Sequence, residues 1–514
     1  MPKLSVTTRE GNITAESVME ELLITALQRA GVPISFPCAG NHTCGKCRIY
    51  ASGALSPMDE RERELLNGAG RGVRLACFAR VEGDCEVSLL LAGQDRIASN
   101  YVTDRMPVQP IYRDGYGVAF DIGTTTVVGY LFHVSSGEPL SVLGELNRQQ
   151  PYGSNVLSRI DYCNAHTVEP LCSIIRMQLA DMLRGLCHGN GVPSQDMRAI
   201  VVTGNTVMLH ILAGLEPGSL ALAPFTPKSL FDCWVDLHLD GFENVPAYFP
   251  PCISSYVGAD ITCSILSSGI TRMNENILLV DIGTNGEMAL QTPDRMVCCA
   301  TAAGPAFEGA GISCGSNARE GAIQSVWVSD GGIAFTTIGN TQASSICGSG
   351  LVDAAATLYE LGYIESSGRM DKRFGGSIRI GESAVSLTQG DIRELQLAKA
   401  AIRAGMDALL NECGLSYDEL SSIILCGGFG SSIQPQSAAA IGLIPLGMGE
   451  RTFAIGNAAG IGAAYILQNV QRLEEARQIA RRAQTVELAT NPFFIDRFIK
   501  TTVFGEAISL DEEE

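Results

Sequence analysis

The chain has little charge, no basic face, no apolar run long enough to cross a bilayer and no cysteine after Cys426. Only 18% of its 514 residues are charged, and 55 Asp and Glu against 36 Lys and Arg leave a net charge of −19. Nucleic-acid binding requires a Lys/Arg stripe that neutralises phosphates, so that class is excluded. A membrane span would need about 20 consecutive apolar residues, and no membrane partner is expected. The start, Met-Pro-Lys-Leu-Ser-Val-Thr-Thr-Arg, lacks the apolar core of a secretory leader. The 17 cysteines are therefore expected as thiols in a reducing cytoplasm, serving metals or packing as small hydrophobes. What is present is a chain 46% hydrophobic, too long for one core, with 56 glycines gathered in short loops.

Four of the thiols form a pattern. Cys38, Cys44 and Cys47 stand as C-x5-C-x2-C in the Gly-rich stretch Pro37-Cys-Ala-Gly-Asn-His-Thr-Cys-Gly-Lys-Cys47, and Cys77 follows at a distance. The spacing is close to the plant-type ferredoxin pattern with one extra loop residue. Small residues such as Ala39, Gly40 and Gly45 would let N–H groups turn toward cluster sulfurs. Zinc also accepts four thiolates but is usually held by two C-x2-C pairs, and only one is present. Around the motif, Leu4 to Thr8 reads as a strand. A capping box Ser17-x-x-Glu20 is expected to open a helix carrying Val18, Leu22, Leu23, Ala26 and Leu27, ended by Gly31 and Pro33. Cys47 to Ala51 reads as a strand, Pro57 to Leu66 as a charged helix, and Gly72 to Val81 as a strand bearing Cys77. Cys85 falls outside the pattern and reads as structural. Residues 1–92 resemble a 2Fe-2S ferredoxin domain of α+β class, with Cys38, Cys44, Cys47 and Cys77 as the cluster ligands.

After a connector at 93–115 a second theme appears and repeats. Val118-Ala-Phe-Asp121-Ile-Gly-Thr-Thr-Thr126 is an apolar strand running into an Asp-x-Gly-Thr turn, and Leu278-Leu-Val-Asp281-Ile-Gly-Thr-Asn-Gly-Glu is its echo. A buried strand delivers an Asp to its end, glycine allows close backbone approach, and Thr hydroxyls and N–H groups face an anion. Such an Asp suits Mg²⁺ or its water shell. Each copy is followed by another apolar strand ending in glycine, Ile200 to Gly204-Asn205 and Ile423 to Gly427-Gly428. A glycine-rich helix, Ile455-Gly-Asn-Ala-Ala-Gly460-Ile-Gly, closes the set.

The arrangement resembles the duplicated α/β ATPase fold of actin, Hsp70 and sugar kinases, over residues 116–480, with 481–514 as a C-terminal extension and acidic tail. That resemblance implies ATP and Mg²⁺ in an interlobe cleft. Asp121, Gly123, Thr124 and Thr125 match the first phosphate loop, and Asp281, Gly283, Thr284 and Asn285 the second. Gly427 and Gly428 match the adenosine turn. Asp121 and Asp281 would be the catalytic carboxylates. Glu287 and Glu308 rank behind them as carboxylates able to orient water or ribose. The patch Ile346-Cys-Gly-Ser-Gly350 is expected to open a helix from Leu351 to Leu361, with Cys347 buried.

An iron–sulfur unit fused to an ATPase suggests nucleotide-driven delivery of an electron to an acceptor below the cluster's potential. The whole chain resembles the reductive activators of corrinoid proteins. It shares Gln150-x-x-Gly153-x-Asn-Val-x-Ser-Arg-Ile160, Val202-Thr-Gly-Asn-Thr-Val-Met, Gly304-Pro-Ala-Phe-Glu308-Gly, Ile346-Cys-Gly-Ser-Gly-Leu-Val-Asp353, Gly442-Leu-Ile-Pro445 and Val486-Glu-Leu-Ala. The resemblance implies ATP-dependent reduction of a Co(II) corrinoid to Co(I) on a partner protein of a methyltransferase system. It also implies an external low-potential reductant and a tendency to homodimerise. Two departures stand out: Asn155 where the pattern has Asp, and no C-terminal cysteine run for a 4Fe-4S cluster. The alternative is a small-molecule kinase of the same superfamily with a fused redox-sensing ferredoxin domain.

Overall fold

A computed structural model describes residues 2–8, 11–30, 47–66, 73–88, 112, 114–153, 155–329, 332–428 and 433–505. The chain divides into two compact units, Met1–Met106 and Pro107–Glu514.

The first unit is a five-stranded mixed sheet in the order β2-β1-β5-β3-β4, with β1 Lys3–Thr8, β2 Gly11–Glu16, β3 Arg48–Leu55, β4 Val73–Leu75 and β5 Val81–Ser88. Leu4, Val6, Ile49, Leu75, Val81 and Val87 turn inward onto the helix Leu23–Arg29, whose Leu23 and Leu27 are fully buried. Two expectations fail here. Ser17 opens no helix: its hydroxyl donates to Glu21 Oε2 at 2.9 Å, Glu20 takes φ +64, and Val18 is exposed. The chain must turn at this point to bring the Leu23 and Ile24 amides onto the Ala79 and Ala76 carbonyls, both at 2.8 Å, so the helix begins at Leu23. Cys77 likewise lies in the turn between β4 and β5 rather than in a strand, because Phe78 N and Ala79 N both bond back to Leu75 O.

The second unit contains two six-stranded sheets. One has the order β10-β11-β9-β6-β7-β8, from β6 Tyr116–Ile122, β7 Thr126–His133, β8 Pro139–Leu146, β9 Met197–Gly204, β10 Cys233–Val235 and β11 Ala247–Phe249. The other has the order β21-β20-β12-β13-β14-β22. It comprises β12 Ile277–Ile282, β13 Gly286–Gln291, β14 Met296–Thr301, β20 Ser422–Cys426, β21 Thr452–Ala454 and β22 Ala483–Thr485. In each, an antiparallel meander (β6-β7-β8 and β12-β13-β14) is extended by a strand parallel to its first member, β9 or β20. A further parallel strand, β11 or β21, comes next. The central strands β6, β9, β12 and β20 read as near-continuous apolar runs because they are buried on both faces. Smaller sheets, β15 Ala322–Ser329 with β16 Gly332–Thr337 and β17 Ser345–Ile346, and β18 Ser377–Arg379 with β19 Ser386–Thr388, flank the second.

Two helices cross between the lobes, Ala259–Ser268 and Ala458–Gln468. A Cβ on Gly462 would lie 2.0 Å from the Cys263 carbonyl oxygen, so only glycine permits this crossing. Ser267 Oγ donates to Ala458 O at 2.7 Å and fixes it further. Residues 483–505 belong to the second lobe's packing: β22 extends the sheet, and Pro492–Lys500 lies along the helix Gln389–Cys413, where Arg497 donates to the buried Asp407 at 2.7 Å.

Candidate functional site

The first unit brings together two of the four sequence-selected thiols. Cys47 precedes β3, Cys77 caps the turn after β4, and their sulfurs lie 3.3 Å apart with both residues buried. That separation is too long for a disulfide and suits two ligands of one metal centre. The buried Glu62 holds the turn in place by gripping Arg74 through both oxygens at 2.9 Å and accepting the Leu75 N–H at 2.8 Å. Cys38 and Cys44 lie outside the described residues. Cys85 is buried in β5.

In the second unit the strand ends deliver the selected carboxylates into one cleft. Asp121 closes β6 and Asp281 closes β12. Asn457 Nδ2 donates to Asp121 Oδ2 at 2.8 Å, while its Oδ1 caps the crossing helix by accepting Gly460 N–H at 2.8 Å. Asp281 is flanked by Ser264 Oγ at 3.3 Å and Cys426 Sγ at 3.6 Å. Gly427, at φ +91, leaves room for this carboxylate: a Cβ there would stand 2.3 Å from Asp281 Oδ1. Gly428 faces open space, and the turn after it, 429–432, lies outside the described residues.

Sequence reasoning missed Asp260, in the first turn of the crossing helix, and ranked Glu287 on β13 second. Both join the cluster. Burial, with Asp121 and Asp281 nearby, pushes Asp260 up to about 8. Burial lifts Asp121 to about 7, where the Asn457 hydrogen bond pulls it down and the Asp281 charge pushes it up. Asp281 rises through burial to about 6, restrained by Cys426 and Ser264. Burial and then Asp260 and Asp281 hold Glu287 well above the usual carboxylate range. Asp281 disfavours ionisation of Asp121, Asp260 and Glu287, so the four acids make one region where a cation would be favoured. Among the described residues no three His, Cys, Asp or Glu side chains form an all-protein metal cage. Mg²⁺ fits, because it keeps waters and uses one or two carboxylates together with phosphate oxygens.

The loops beside these carboxylates face each other. Gly123 N bonds to Thr126 O and Gly283 N to Asn285 O, both at 2.9 Å. Thr125 Oγ1 and Thr284 Oγ1 lie 3.3 Å apart, bridged by Glu308, which accepts from Thr125 and, at 2.8 Å, from Thr284. Arg159, fully buried, donates to the Thr124 carbonyl and also to Gln149 and Gly153 O at 3.1 and 3.0 Å. Asn205 Nδ2 reaches Thr124 Oγ1 at 3.4 Å. Asn155 caps the helix Val156–His166 by accepting Ser158 N–H at 2.9 Å, a task an Asp there would also perform. Asn457 and Arg159 were present in the quoted motifs. Asn457 carried a visible signal, an Asn directly before a helix-forming run, but its second bond depends on the helix crossing.

Comparison with known proteins places this geometry. Residues 116–273 match the family model for the RACo middle region, and residues 275–509 the model for the C-terminal domain of RACo, the ASKHA domain. The chain is 34% identical over 447 residues to the corrinoid activation enzyme RamQ of Eubacterium limosum, covering 80% of this chain and 74% of that protein. It belongs to the reductive activators of corrinoid proteins. Another member, a Co(II) methylated amine-specific corrinoid protein reductase of Methanosarcina barkeri, is 26% identical over 415 residues, 74% of this chain and 75% of the relative. A solved structure titled as a reductive activator for corrinoid, iron-sulfur protein superposes with a TM-score of 0.74 at 27% identity, covering 98% of each chain. The second unit thus has an ASKHA fold. Among the described residues no helix is long and apolar enough to cross a membrane.

Proposed function

We propose that this activator uses ATP to drive an electron from an N-terminal 2Fe-2S cluster onto the Co(II) corrinoid of a partner methyltransferase-system protein, giving Co(I). The observation that carries the reading is the pairing, in one chain of this family, of a buried two-thiol site with a cleft of four repelling carboxylates between facing Thr-bearing loops. In this reading residues 1–92 are a ferredoxin domain, 93–115 a linker, 116–480 a duplicated ATPase and 481–514 its extension.

Cys47 and Cys77 would hold the cluster with Cys38 and Cys44. Bound there, the cluster supplies one-electron transfer near −400 mV, the region typical of plant-type centres. Every further 59 mV demanded by the acceptor is a tenfold unfavourable factor, about 1.4 kcal/mol. Asp121 and Asp281 would orient the hydrated Mg²⁺ of Mg-ATP. Gly123, Thr124, Thr125, Gly283, Thr284 and Asn285 would turn N–H and O–H groups to the phosphates, and Gly427 and Gly428 would line the adenosine. Asp260, with its affinity for a proton raised and its place at the mouth of the crossing helix, would take the proton of the attacking water. Closing of the lobes on the triphosphate then supplies the two-state element that nucleotide biases.

The test is Co(I) formation on a purified corrinoid protein, with the chemically reduced activator and with Cys77→Ser and Asp281→Asn variants. Cys77→Ser is expected to lose electron transfer and keep nucleotide binding. Asp281→Asn is expected to keep the cluster's visible spectrum and lose ATP-dependent reduction. Full activity of either variant would contradict its assigned role.

A further inference from the structure

Glu308 occupies the place where two loops could meet a phosphate. It sits at the end of the turn Pro305–Glu308, flanked by Gly304 and Gly309 at φ +80 and +77. A Cβ on Gly309 would stand 2.4 Å from Ser316 N, so the turn is wedged against its neighbour and the carboxylate is aimed rather than loose. One oxygen accepts from Thr125 of the first lobe, and the other accepts from Thr284 of the second at 2.8 Å. The Thr284 amide adds a third donor. A threonine hydroxyl owns one proton, so a hydroxyl that donates to Glu308 has none left for a ligand oxygen.

The surroundings favour an anion at this point. Among the described residues no carboxylate lies within ion-pair distance of the fully buried Arg159, whose acceptors are the neutral Thr124 O, Gln149 Oε1, Gly153 O and Met208 Sδ. A buried guanidinium without a counter-ion is costly, and Glu308 supplies the negative charge it senses. The donor set (two hydroxyls, an amide and a nearby arginine) is also the set that holds a phosphoryl group.

We propose that Glu308 is an internal competitor for the terminal phosphate: it bridges Thr125 and Thr284 until a nucleoside triphosphate displaces it, whereas a diphosphate leaves the bridge in place. This inference rests on the nucleotide-binding reading above and adds to it the residue that distinguishes the substrate from its product. Displacement swings the Glu308 side chain off both threonines, at the end of a turn that packs on the long helix Gln389–Cys413.

Calorimetric titration of the full chain with Mg²⁺ and either AMPPNP or ADP tests the competition, comparing wild type, Glu308→Gln and Glu308→Ala. Both variants are expected to bind AMPPNP about tenfold more tightly than wild type, a gain of about 1.4 kcal/mol, with ADP affinity changed less than about twofold. The isosteric Gln variant keeps the test valid if the Ala variant folds poorly. Unchanged or weaker AMPPNP binding in the variants, beside measurable wild-type binding, would overturn the competitor role and spare the nucleotide reading. An equal gain for ADP and AMPPNP would also overturn it, because the bridge would then block any ligand. Absence of binding by all three proteins would remove the nucleotide reading and this inference together.

Discussion

The two Asp-x-Gly-Thr loops are near copies in sequence and unequal in support. The first is braced from behind: Asn147 donates to Gly123 O at 2.9 Å, Asn147 N bonds to Thr125 O at 2.8 Å, and Arg159 donates to Thr124 O. Its carboxylate is fixed by an amide, Asn457. The second is closed by its own Gly283–Asn285 bond, and its carboxylate has only longer contacts, to the Ser264 hydroxyl at 3.3 Å and to the Cys426 thiol, a weak donor, at 3.6 Å. A loop with its carbonyls already committed is pre-organised, while one with few ties adjusts to what it binds. On the nucleotide reading proposed above, the first loop would anchor phosphate and the second would adjust to it.

The two carboxylates should show the strongest response to substitution. Asp121→Asn and Asp281→Asn should each lower ATP turnover about a thousandfold. Each should raise the melting temperature of the nucleotide-free protein, since a buried uncompensated charge is removed. A fall in both activity and stability would contradict the electrostatic account.

A pH series sharpens it further. Both carboxyls are raised in the folded protein, so the folded state binds more protons than the unfolded chain. Stability therefore declines as pH rises from near 4 through about 6 for Asp281 and about 7 for Asp121. The rise at Asp121 corresponds to roughly 4 kcal/mol against its ionised form. Denaturant titrations from pH 4 to 8 should show Asp281→Asn flattening the decline up to about 6 and Asp121→Asn up to about 7. Identical profiles for the two variants would erase the distinction between the loops.

Arg159→Met leaves the Thr124 carbonyl without its donor, and should raise KM for ATP more than it lowers kcat. A fall in kcat with KM unchanged would point to a transition-state contact instead. The smallest effect is expected for Cys426→Ala, about 0.5–1 kcal/mol, with the Asp281 carboxyl rising further once the thiol is gone. Carboxyl titration followed by NMR would read that shift, and a downward movement would refute it.

Legibility in the sequence followed locality. The apolar strands ending in Asp121 and Asp281, the glycine turns and the thiol spacing are properties of short stretches, and the structure places Cys47 beside Cys77 and the two loops face to face. Ser17 and Glu20 carried a capping signature, yet backbone pairing of Glu20 N with Val81 O turned that segment away from helix. Asp260 resembles an ordinary first-turn acid until Ala259–Ser268 crosses Ala458–Gln468 and carries it beside Asp281. Arg159 stood in a quoted motif, but its meaning depends on the Thr124 carbonyl, which is brought to it only by folding. Glu308 was ranked behind the loop residues because nothing local shows that two distant threonines share it.

The most direct test of the account is the visible spectrum of a Co(II) corrinoid partner mixed with the reduced activator, recorded with and without Mg-ATP. A Co(I) band that grows only when ATP is present is expected. Equal Co(I) formation without ATP, or steady ATP consumption with a small metabolite and no Co(I), would contradict it.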